Sequence, residues 1–143
     1  MTYEESQKAL KWVNEHFLFL DQKDGEPATI ENILDSAKQA IMRLGCRGVV
    51  IDPANFITPT RGVENEHQGI SLMLSRLLAF ARAHEVHIFF VAHPAKMMTG
   101  PDGDTAVPKG MNISGSASFF AKADLGFTVH RRSGTVELHV WKC

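Results

Sequence analysis

The stretch IFFVAHPAKMMTG (Ile88 to Gly100) runs through five apolar residues, meets His93, Pro94, Ala95 and Lys96, and then enters a segment of glycine, proline and aspartate. A run of the same kind precedes it. GVVID (Gly48 to Asp52) is continuously apolar and closes on an acid. Short apolar runs without polar alternation read as strands buried on both faces of a parallel sheet. Between the two runs, Ile70, Leu72, Leu74, Leu77, Leu78 and Ala81 mark an amphipathic helix expected from about Ile70 to His84. Strand, helix, strand is the unit of an α/β fold with a mostly parallel sheet. Ligands of such sheets sit beyond the carboxyl ends of the strands. Asp52 and His93 are therefore expected on one rim.

Working outward, Thr29 is a helix N-cap before IENILDSAKQAIMRLG, whose apolar residues have helical spacing and which Gly45 closes. Thr2, Glu4 and Glu5 start a helix expected to reach about Glu15, and FLFL (Phe17 to Leu20) has strand character. PANFITPTRGVENEHQG, with two prolines, reads as a loop, as does the long stretch from His93 to about Asn112. SGSASFFAKA suggests a short helix. LGFTVHR and TVELHVWK, joined by RSG, read as a hairpin.

The chain has 143 residues, 44% of them hydrophobic, which is enough for one domain with a core. Its net charge of −1 excludes a global basic field, so any nucleic-acid contact must be local. Cys46 and Cys143 do not make a disulfide framework, and a reducing cytoplasm is the expected location. No run approaches the ~18 apolar residues of a membrane helix. The polar N-terminus does not resemble a signal peptide.

An acid at the end of an apolar strand can hold the Mg²⁺ of a bound nucleotide, directly or through water. It can equally be a turn former. His93 could sense a phosphate, act as a base or ligate a metal, or it could bond a neighbouring backbone group. His84 and His87 invite a metal reading, but they fall near the opposite rim and lack zinc-site spacing. In NISGSASFFAKAD, backbone amides and hydroxyls could hold phosphate, or Ser114 or Ser116 could simply cap a helix. Arg131 and Arg132 read as surface charges of the hairpin.

Taken in order, these residues resemble the RecA-like motor domain of DnaB-type hexameric replicative helicases, in particular the Twinkle-like and phage primase-helicase branch. RGVVIDPANFI resembles the Walker B strand and VHIFFVAHPAK the sensor strand. NISGSASFFAKADLGFTVHR resembles the next motif, and TVELHVWKC the strand before a Lys-x-Arg element. The resemblance covers about residues 45 to 143.

It implies a partial RecA-like P-loop NTPase core spanning 1–143, with helices on both faces of the sheet and a C-terminal hairpin. Asp52 would be the Walker B aspartate, holding Mg²⁺ through water. His93 would contact the γ-phosphate of ATP. Lys142 would reach a neighbouring subunit's nucleotide. Arg61, Lys96, Lys109 and Asn112 would face single-stranded DNA, and the parent protein would be a homo-hexamer.

The departures are as informative. No G-x-x-x-x-G-K-[ST] occurs in the 143 residues, so the amide cradle and phosphate lysine are missing. The glutamate that activates water is not identifiable, and the chain stops one residue before the expected arginine. The sequence thus reads as the back half of an ATP-dependent motor, inactive alone and lacking the P-loop strand, which would leave LGFTVHR short of one neighbour. Two alternatives stay open. One is a non-catalytic RecA-like module that binds nucleotide or single strands. The other is an unrelated α/β enzyme using Asp52 and His93 as an acid/base pair.

Overall fold

The computed structural model describes residues 1–20, 28–52, 57–58, 65–95, 105–113, 117–132 and 134–143. The first helix, α1 (Tyr3–His16), begins where its sequence specifies. The Glu5 amide donates to the Thr2 hydroxyl, and the Thr2 amide donates back to the Glu5 carboxylate at 2.7 Å. This reciprocal cap satisfies two amides that the helix cannot. None of α1 is buried. Phe17 to Leu20 is not the expected strand; these residues are exposed and irregular. An apolar run becomes a strand only when a neighbour takes its backbone groups, and no described residue does so. Trp12 stacks on His16 instead, with Phe17 against its edge.

Strand β1 (Ala28–Thr29) leads directly into α2 (Ile30–Leu44). The Thr29 hydroxyl accepts from the Asn32 amide, and Gly45, at φ 69°, closes the helix. That left-handed backbone is one a glycine adopts without a Cβ penalty. Strand β2 (Gly48–Ile51) follows, then β3 (Ile57–Thr58), which pairs in parallel with β1. The sequence had placed β3 inside a loop. Helix α3 (Glu66–His84) starts earlier than Ile70, because Asn65 Oδ1 accepts from the His67 amide and caps it. Glu85, in the left-handed region at φ 53°, ends α3 and turns the chain into β4 (His87–Phe90).

Strands β2 and β4 pair in parallel, Gly48 opposite His87 through Ile51 opposite Phe90. Their side chains alternate. Val49, Ile88 and Phe90 pack against a core of Ile30, Ile51, Ile57, Met73 and Leu77 supplied by α2, α3 and the short strands. Each fully buried side chain of this kind contributes roughly 1.5–3 kcal/mol. Val50, Phe89 and Val91 point the other way and are 60%, 44% and 38% exposed. The expectation of strands buried on both faces, with helices on both, is therefore corrected: among the described residues the helices cover one face. The strands form three two-stranded sheets rather than one continuous sheet.

A 3₁₀ turn (Gly110–Asn112) precedes α4 (Ala117–Lys122), β5 (Gly126–Arg132) and β6 (Thr135–Lys142). The Lys122 ammonium fastens α4 to α3, donating to the Ser71 carbonyl at 2.7 Å and to the Ser71 and Ser75 hydroxyls. Buried Phe119 adds a ring contact with Phe90 at 5.9 Å. Strands β5 and β6 form the expected antiparallel hairpin, turned at Gly134 with φ 90°. Among the described residues β5 pairs with β6 alone. On one face, Phe127 opposes Val140 and Val129 opposes Leu138, all more than half exposed.

Candidate functional site

Parallel pairing brings the carboxyl ends of β2 and β4 to one edge. The last ladder bond runs from the Val91 amide to the Ile51 carbonyl at 3.0 Å. Asp52 leaves β2 immediately after this bond, and His93 leaves β4 two residues after it. Both are exposed. The two chemistry-bearing residues of the sequence thus follow adjacent strands onto one rim.

Past His93 the chain meets its own return. Pro94 forms an antiparallel bridge with Ile113, and the Ala95 amide donates to the Asn112 carbonyl at 2.7 Å. Asn112 organises the turn around itself. Its Oδ1 accepts from the Lys109 amide at 2.9 Å, and its own amide donates to the Lys109 carbonyl at 2.8 Å. Asn112 therefore holds backbone at least as much as it faces solvent, and it leaves Lys109 exposed in a turn tied to the rim.

The remaining candidates scatter. Arg61 and Lys96 lie outside the described residues, as do Ser114 and Ser116. Lys142 sits at the end of β6, where its ammonium donates to the Phe120 carbonyl at 2.7 Å and the Ala121 carbonyl at 3.2 Å. It also lies 5.3 Å over the Phe120 ring. A cation at the last carbonyls of a helix is favourable, so within this chain Lys142 is occupied in holding β6 to α4.

Asp52 is one exposed carboxylate. Mg²⁺ in nucleotide sites takes one or two carboxylates plus phosphates and waters, so Asp52 fits the role of a water-mediated contact. Among the described residues no three His, Cys, Asp or Glu side chains converge to hold a metal. The 143 residues contain no G-x-x-x-x-G-K-[ST] beside this rim in the sequence.

Sequence reasoning missed Trp141. It stacks on Phe120 at 5.7 Å, and its indole N–H donates to the Thr128 hydroxyl at 3.2 Å. That hydroxyl donates to the Pro108 carbonyl at 2.6 Å. The residue therefore binds the hairpin to the segment that carries Lys109. The available signal was a pair of glycines, Gly110 and Gly126, which make room for it.

No family model matches the chain. Among curated proteins it is similar to the Twinkle homolog protein, chloroplastic/mitochondrial, of Arabidopsis thaliana. The two are 36% identical over 132 residues, which cover 92% of this chain and 18% of that protein. The chain spans under a fifth of the length of this relative.

Proposed function

We propose that the chain is part of a Twinkle-like replicative DNA helicase motor, with its β2/β4 rim facing nucleotide and its Lys109 turn facing single-stranded DNA. The observation that carries this reading is the similarity to the Twinkle homolog along 92% of the chain. It agrees with the motif resemblance of GVVID and VAHPAK, whose Asp52 and His93 follow adjacent strands onto one rim. In the complete domain Asp52 would hold Mg²⁺ through water and His93 would respond to the γ-phosphate of ATP. Lys142 would turn toward a neighbouring subunit's nucleotide, giving up its contacts with α4, in a homo-hexamer. Arg61, Lys96 and Lys109 would neutralise DNA phosphates, with Asn112 shaping the turn.

The purified 143 residues are expected to bind a fluorescent oligothymidylate longer than ~16 nucleotides at low salt. Binding should weaken as salt rises, because phosphate contacts release counterions. Lys109→Ala should lower affinity across sequences and reduce the salt slope by about one contact. Anisotropy that stays flat at low salt would sink the DNA part of the proposal. The chain alone is expected not to turn over ATP, since it has no G-x-x-x-x-G-K-[ST]. Magnesium-dependent turnover abolished by Asp52→Ala would overturn that expectation.

The same missing loop favours a second reading, a non-catalytic RecA-like binding module. A longer form of the protein that carries a phosphate loop and hydrolyses ATP decides for the motor. DNA binding indifferent to nucleotide in that longer form decides for the module.

A further inference from the structure

The β5–β6 register slips at one place. Gly126 opposes Lys142 while Phe127 opposes Val140, so Trp141 is the extra residue on β6. A bulge of this kind re-aims a side chain, and here it sends the indole against two buried glycines from distant parts of the chain. A Cβ placed on Gly110 would lie 2.6 Å from the indole Cη2 and 2.7 Å from Cζ3, and one on Gly126 would lie closer still. Neither separation is tolerated between carbon atoms, so the ring fills the space that two side chains would need. Phe120 covers the ring, and Thr128 links its N–H to Pro108.

Pro108 and Gly110 flank Lys109, so the wedge grips the turn on both sides of that lysine. The grip continues toward the rim through Asn112, which bonds Lys109 at one end and receives the Ala95 amide at the other. At the wedge's other side stands Lys142, bonded to the last carbonyls of α4. We infer that bulged Trp141 is a positioning residue, holding the Lys109 turn against the hairpin and, through Asn112, against the strand exit at Ala95. The end of β6 and the Lys109 turn then move together or not at all. The consequence for DNA binding rests on the function proposed above; the mechanical link does not.

The test uses the whole chain and two readouts. Hydrogen exchange at the Ala95 amide reports whether the turn is seated, and exchange at the Val91 amide reports on the β2–β4 ladder. Oligothymidylate anisotropy reports the DNA contact. Gly110→Ala is expected to speed Ala95 exchange about tenfold while leaving Val91 unchanged, as local opening does, and to weaken DNA binding several-fold. Trp141→Phe lacks the outer ring edge that Gly110 meets, so the double variant should recover both readouts relative to Gly110→Ala. Trp141→Phe alone is the gentler probe should Gly110→Ala fold poorly, and it should loosen Ala95 to a smaller extent.

Equal acceleration of Ala95 and Val91 would mean global destabilisation and would overturn the link. So would an unmoved Ala95, or a double variant no better than Gly110→Ala. If the wild-type chain ignores the oligonucleotide while the Ala95 pattern holds, the DNA reading falls and the positioning role stands. If Ala95 loosens but DNA affinity does not change, Trp141 does not position a DNA contact.

Discussion

The β2–β4 pair and the β5–β6 hairpin are built from the same kind of apolar residue, yet among the described residues only the first has a covered face. In the first, Val49, Ile51, Ile88 and Phe90 face α2 and α3 and form one side of the core. In the second, Phe127, Val129, Leu138 and Val140 stand on an open face, and the hairpin is fastened at one end, by Trp141 and Lys142. Apolar patterning states that a surface needs a cover. It does not state that the cover is present. The first pair derives its stability from area, the second from a few directional contacts at its end.

The largest effect should come from the covered pair. Ile51→Ala removes most of a side chain that is only 7% exposed and should cost about 2–5 kcal/mol in urea unfolding. A loss below about 1 kcal/mol would show that the core is not continuous there. Next comes the anchored end of the hairpin. Gly126→Ala forces a methyl group into the indole and should cost about 1–3 kcal/mol, with Trp141 fluorescence shifting as its surroundings change in a Trp12→Phe background. Smaller again is the ion pair between Arg76 and Glu31, which joins α3 to α2 at the surface. With both side chains partly in water, a double-mutant cycle should give about 0.2–1 kcal/mol. Smallest is the open face, where Leu138→Ala, at a residue 65% exposed, should stay within about 0.5 kcal/mol. A large loss at Leu138 would break the comparison, because it would mean that the face is covered in solution.

Local chemistry was legible from the sequence. Thr2, Thr29, Gly45 and Gly134 mark helix ends and a turn because each acts within a few residues of itself. The shared rim of Asp52 and His93 was also legible, since two apolar strands flanking one helix have few ways to pair. Features that depend on distant partners were not. Phe17 to Leu20 had the composition of a strand but no partner, whereas Ile57 and Thr58, too short to stand out between two prolines, found one in β1. Val50 and Phe89 looked like core because nothing in their own stretch says how many faces a sheet will have covered. Trp141 escaped notice because its contacts at Gly110, Phe120, Gly126 and Thr128 are assembled only by the fold. Among the candidate residues, the structure joins Asp52 and His93 at one rim, links Lys109 and Asn112 to that rim through Ala95, and gives Lys142 a place at the end of α4.

The two ways of joining strands also set an order of events. The hairpin turns at Gly134, whereas β2 and β4 meet only after the 19 residues of α3 and its flanking segments have been gathered between them. Hairpins form in about 1–10 μs, and pairings distant in sequence wait on the entropy of closing the loop. The β5–β6 register, with Trp141 already displaced at its bulge, is therefore expected to exist before the rim does. The turn at Gly110 would then be shaped on a template that the C-terminal strands have finished first.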